Sequence, residues 1–141
     1  MTTLARSSQS LLLALATTVG LGCAAIASAA GFDGSQDLLC APTDVAQCDQ
    51  SARCDRASPS DVDMPSFVRL DFAKKRLVSV GTPERVTPIE SVRQKEGLTI
   101  LQGAENGRAW SLVIDQATGQ LTGSIIDGEG AIAVFGACTP R

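Results

Sequence analysis

Beyond Pro65 the chain alternates between apolar and polar residues with a period of two. Val68, Leu70 and Phe72 are separated by Arg69 and Asp71, the signature of a strand with one buried face. A turn at Ala73-Lys74-Lys75 leads into a return strand, Leu77-Val78-Ser79-Val80, which ends at Gly81-Thr82-Pro83. A third strand is predicted over residues 89–93 and a fourth over 98–101. Glu96-Gly97 joins them, since glycine accepts the positive φ that a tight hairpin requires. A loop follows at Ala104-Glu105-Asn106-Gly107, where Asn-Gly is the strongest two-residue hairpin signal. Trp110, Leu112 and Ile114 then alternate with Ser111, Val113 and Asp115. Asp115-Gln116-Ala117-Thr118-Gly119 suits a type I turn closed by a left-handed glycine. Strands over 121–126 and 131–138, joined by Asp127-Gly128-Glu129-Gly130, complete the series.

These connections are hairpin-length, which favours antiparallel neighbours, because parallel strands need long crossovers. The expected fold is therefore all-β: an antiparallel meander of six to eight strands, closed into a small barrel that removes exposed sheet edges. An open sheet or a sandwich is the alternative. Gly123 and Gly136, both inside strands, fit bends or bulges at barrel corners. Residues 65–141 carry this meander. Residues 30–64 read as an irregular, cysteine-rich segment, with Gly34, Pro42 and Pro59 interrupting it and a short strand marked by Cys40, Val45 and Cys48.

The first 29 residues read differently. Arg6 is the only charged side chain before Asp33, an apolar stretch covers 11–26, and Ala27-Ser28-Ala29-Ala30 supplies small residues at its end. This is the layout of a secretory signal peptide, with cleavage expected after Ala29. The apolar run is short and rich in Ala and Gly for a membrane anchor, which needs about 20 predominantly apolar residues. Cys23 is the one cysteine placed for lipidation, but Gly20-Leu21-Gly22 puts glycine where a lipoprotein signal carries a larger aliphatic residue.

Composition agrees with export. The whole chain has 12 basic and 15 acidic residues, a net charge of −3; loss of Arg6 takes it to −4. That balance argues against nucleic acid or an anionic membrane surface as partner. Without Cys23 an even set remains, Cys40, Cys48, Cys54 and Cys138, which in an exported chain reads as two disulfides. Of three possible connectivities the expected one is Cys48–Cys54, across a short hairpin loop, with Cys40–Cys138 joining the ends of the domain. No C-x-x-C spacing points to redox chemistry or zinc.

The chain contains no histidine and no tyrosine. That excludes Ser-His-Asp and Cys-His catalysis and histidine metal ligation. Nucleophile-elbow, phosphate-loop and dinucleotide motifs do not occur either. Carboxylates are the remaining catalytic route, and Asp71, Asp115, Asp127 and Glu129 are the candidates, but no spacing pairs them. Asp127-Gly128-Glu129-Gly130 lacks the third ligand of a calcium loop, and Asp61-Val62-Asp63 is no better. No catalytic, cofactor or metal site is therefore expected. Trp110 reads as core, and Arg69 as an anion holder only if it points inward.

Gly107-Arg108-Ala109-Trp110-Ser111-Leu112-Val113-Ile114-Asp115, followed by Thr118-Gly119 and by Phe135-Gly136-Ala137-Cys138-Thr139-Pro140, resembles a pattern of small exported proteobacterial proteins of unassigned function. The resemblance covers about a third of the expected mature chain and implies a family without implying an activity. In architecture alone the chain is similar to the periplasmic inhibitors of C-type lysozyme, small disulfide-bearing β-barrels; no inhibitory-loop motif carries over. The leading expectation is a periplasmic or secreted, non-enzymatic binding module that recognises a protein, such as a hydrolase, through loops at 82–88, 103–108 and 127–130. Arg108, Glu105, Asn106 and Glu129 are its partner-facing candidates. The alternative is a carrier that holds a small apolar ligand inside the barrel.

Overall fold

A computed structural model describes residues 31–141; the expected signal peptide and Cys23 lie outside the described residues. Ten strands form one antiparallel sheet, and no α-helix occurs among the described residues. They are β1 (Leu38–Asp49), β2 (Cys54–Ala57), β3 (Val68–Asp71), β4 (Arg76–Ser79), β5 (Val86–Pro88), β6 (Ser91–Lys95), β7 (Leu98–Glu105), β8 (Arg108–Asp115), β9 (Gln120–Ile126) and β10 (Gly130–Pro140). Their order across the sheet is β5-β4-β3-β1-β10-β9-β8-β7-β6, with β2 paired to β1 off this path.

The hairpin signals in the sequence mark the turns. Glu96-Gly97 and Asn106-Gly107 both have positive φ at each central residue, 54° and 78° in the first and 52° and 76° in the second. Such turns match the right-handed twist of the flanking strands. Gly119 takes φ 73° and donates its N–H to Asp115 O at 2.8 Å, closing the turn between β8 and β9.

The segment 30–64, expected to be irregular, holds the longest strand. β1 runs for twelve residues and is bonded on both sides, to β10 along its length and to β3 and β2 in turn. The first and last strands in sequence, β1 and β10, thus lie side by side in the middle of the sheet. Pro42, which cannot donate to a ladder, stands at the register shift between Pro42 and Asp44, where the backbone is released from pairing. Gly136 sits directly opposite it. A Cβ there would run into the Ala41 carbonyl.

The sheet curls into a half-barrel instead of closing as an unbroken ladder. Its two outermost strands, β5 and β6, are consecutive in sequence and separated only by Ile89 and Glu90. Ile89 N–H donates to Lys75 O at 2.8 Å on one flank, and Glu90 N–H donates to Gln102 O at 2.9 Å on the other. The chain therefore crosses from flank to flank at the point where Pro88 lacks a donor.

Both expected disulfides are present. Cys40–Cys138 and Cys48–Cys54 each join directly opposed residues on neighbouring strands, β1 with β10 and β1 with β2. Two such bonds belong to an oxidising environment. No helix among the described residues is long and apolar enough to cross a membrane.

Pairing places the turns after β3, β6 and β8 at one end of the half-barrel and those after β1, β7 and β9 at the other. The first end is plugged. Phe32 is buried and its carbonyl accepts a hydrogen bond from the fully buried Thr99 hydroxyl at 2.7 Å. Leu38, Leu70, Leu101 and Ile114 complete a dense cluster beside it, each fully buried.

Candidate functional site

Inward positions repeat every second residue, and the register aligns them across the sheet. On β7 they are Leu101, Gly103 and Glu105, and on β8 Leu112, Trp110 and Arg108 stand opposite them. Leu112 and Trp110 in turn face Gly123 and Ile125 of β9, which face Val134 and Ile132 of β10. Toward the second end this inner face does not fill. A cavity of about 420 Å³ opens there, walled by Val68, Leu70, Leu77, Trp110, Leu112, Leu121, Ile125, Ile132 and Val134.

Glycines let two large wall residues lie close against the sheet. Gly103 lies under Trp110, where an added Cβ would stand 2.6 Å from Trp110 Cζ2 and 2.8 Å from Pro88 O. Gly123 lies under Leu112 in the same way, its missing side chain replaced by the Leu112 methyl group. Ser79 on β4 spends its hydroxyl on the Arg85 N–H at 2.7 Å. Both glycines are thus covered by the large side chain of the neighbouring strand, and Ser79 adds only a small, hydrogen-bonded side chain to the wall. Trp110 is buried, and its Nε1 finds no hydrogen-bond partner among the described residues.

Charged groups ring the mouth. Arg85 donates to Asp63 Oδ2 at 2.9 Å and to Asp63 O at 2.8 Å, tying the segment after the single 3₁₀ turn, Pro59–Val62, to β5. Val62, Met64 and Pro65 of that segment line the same opening. Arg108, although directly opposite Glu105 in the β7–β8 register, turns instead to Asp127 at 3.3 Å. Glu105 accepts the Thr87 hydroxyl at 2.7 Å and has no cationic partner within 4.0 Å among the described residues.

The sequence candidates separate accordingly. Glu105, Asn106 and Arg108 share the cavity mouth, while Glu129 lies beside a different, polar depression that also touches Arg108. Arg69 is not on the inner wall; it stands 3.5 Å from Asp37 and 3.6 Å from Asp71 on the outer face. Arg85 and Thr87 fall within the 82–88 loop named from the sequence, although neither is a residue candidate there, and the 62–65 segment carries no signal of its own. Thr87 and Glu105 are inward by register alone, a property that no local motif reveals.

The carboxylates considered for catalysis serve turns. Asp115 accepts from the Thr118 hydroxyl and from the Thr118 and Ala117 N–H groups, which hold its carboxyl below the ordinary range. Asp127 is lowered chiefly by the Glu129 N–H, with Gly130 N–H and Arg108 adding to it. The Lys74 N–H leads in lowering Asp71, assisted by Arg76 and opposed by burial. No group of three or more His, Cys, Asp or Glu side chains is placed to hold a metal ion among the described residues. Comparison with known proteins returns no match: no family model fits the chain, no curated protein is similar to it, and no solved structure resembles it.

Proposed function

We propose that this chain is an exported, non-enzymatic binding protein that takes a small, largely apolar molecule into its half-barrel. The observation that carries this reading is the cavity of about 420 Å³. It falls within the roughly 300–1,000 Å³ of small-molecule sites, which pair apolar walls with a few convergent polar groups. A domain of this size has little core to spare, so leaving one end of the sheet hollow forgoes apolar contact that larger side chains would supply. Retaining that space is intelligible if an occupant fills it.

The carboxylates favour binding over catalysis. A general acid needs a pKa raised toward neutrality, and the turn contacts of Asp71, Asp115 and Asp127 move theirs the other way. Two disulfides and an N-terminal signal pattern support delivery to the periplasm or beyond it.

A protein partner is the second reading, favoured by apolar side chains exposed near the same opening. Phe67, Val80 and Val86 are each about half exposed, at 46%, 49% and 45%, and Val80 N–H bonds to Phe67 O. Native mass spectrometry of the protein recovered, without refolding, from the periplasm of an expressing bacterium separates the two. A bound mass lost on denaturation is expected, on a chain short by residues 1–29 and by four hydrogens. A bare chain that also takes up no apolar probe would defeat the carrier reading and turn attention to the Phe67–Val86 rim.

A further inference from the structure

Resting on the carrier reading, we infer that the occupant is a cationic amphiphile, an apolar chain or ring bearing one amine, whose charge is set against Glu105. The charges at the mouth do not balance among themselves. Two guanidinium groups and three carboxylates reach it, counting Asp127. Arg85 is held twice by Asp63, through the carboxylate at 2.9 Å and the carbonyl at 2.8 Å. Arg108 is held by Asp127 at 3.3 Å, although Glu105 is its cross-strand neighbour. The group left over is the Glu105 carboxylate.

Its surroundings suit an incoming donor. Glu105 is the last inward residue of β7, two residues beyond Gly103, so it continues the face that runs past Trp110. The Thr87 hydroxyl engages Oε2 at 2.7 Å and orients the group. Oε1 then carries no hydrogen bond from a described residue. A half-buried carboxylate beside apolar walls forms stronger charge-assisted hydrogen bonds than one in bulk water. An ammonium group there is neutralised while its tail runs inward toward Leu70 and Leu121. An anionic head would meet Glu105 as a like charge, and the two arginines at the mouth are already neutralised by Asp63 and Asp127.

Three probes with one tail and different heads test this: octylamine, octanol and octanoate, each below its aggregation concentration at neutral pH. Titrations follow the emission of Trp110, the sole tryptophan of a chain without tyrosine, and are checked by calorimetry. Octylamine is expected to bind at least about tenfold tighter than octanoate. Glu105→Gln should collapse that ratio toward one, and Glu105→Asp should restore part of it. Equal or tighter binding of octanoate or octanol overturns the cation assignment and leaves the carrier reading standing. If none of the three produces a change in emission or heat, both fall.

Discussion

The two ends of the half-barrel are built from the same strands and the same alternation, yet one is solid and the other hollow. At the plugged end the inward positions are Leu38, Leu70, Leu101 and Ile114, with Phe32 wedged beside them and Thr99 tying its carbonyl. At the open end the corresponding positions include Ser79, Thr87, Gly103, Gly123 and Glu105. Strands β7 to β10 run through both with no shift of register. Large aliphatic residues hold the sheet together at one end, and a cavity stays open at the other; the proposed carrier function would use the second and leave stability to the first.

That contrast is open to test, and the largest expected effect lies where the ends meet. Replacing Cys40 and Cys138 together by alanine removes a bond spanning 98 residues. It should lower the unfolding free energy by about 4 kcal/mol in the chain-entropy account. Urea denaturation reads this directly, and retention of full stability would show that the β1–β10 ladder needs no staple. Next in size, Leu38→Ala should cost about 2–5 kcal/mol as a cavity-forming change in a filled site. Ile132→Ala, on a wall already facing empty space, should cost nearer 1–2 kcal/mol. If the two costs are equal, the open end is as tightly filled as the other.

Over-packing sharpens the comparison. Leu101→Phe is expected to destabilise by about 1–3 kcal/mol, because no void receives the extra atoms. Ile132→Phe projects into the cavity and should shift stability by less than about 1 kcal/mol, while lowering the affinity for octylamine at least about tenfold. A large stability loss with unchanged affinity would place the probe elsewhere.

The smallest difference between the ends is expected on acidification. Asp71 and Asp115 at the plugged end, and Asp49 and Asp127 at the open end, all have carboxyls lowered by bonds to turn N–H groups, hydroxyls or arginine. A lowered folded-state pKa contributes stability that is full above the unfolded value of about 4 and is lost as pH falls through the folded one. Thermal unfolding should therefore be flat from neutrality to about pH 5 and decline below it. Amide exchange should report both sets of turns loosening together; early loss at the open end alone would mean that the Asp49 and Asp127 turns are weaker than their hydrogen bonds imply.

Local chemistry made the hairpins legible. Glu96-Gly97, Asn106-Gly107 and Asp115–Gly119 announce their turns because each needs residues that tolerate left-handed backbone, and the strands between them alternate cleanly. β1 was harder to see. Pro42, Thr43, Asp44 and Gln47 give it a loop-like composition, and its pairing on both flanks comes from distant partners. Phe32 is a lone aromatic in a polar stretch, and its burial depends on the end of a sheet built from later residues. The cavity lies in the register itself. Gly123 reads as a bend and Gly103 as an ordinary strand residue, and only the register shows that they lie beneath Leu112 and Trp110, with no bulge at Gly123. Glu105 was read as a loop residue for the same reason, since β7 continues past residue 101 until the Asn106-Gly107 turn.

The position of β1 also bears on how the chain reaches its native state. It is the earliest strand in sequence, and its principal partner is the latest, so the sheet's central ladder joins residues 38–49 to residues 130–140. Contacts so far apart along the chain fold slowly, because the loop between them must be ordered before they form. The hairpins from β6 to β9 close locally, but the sheet they belong to waits for its final dozen residues. The native sheet is therefore completed only when residues 130–140 meet residues 38–49.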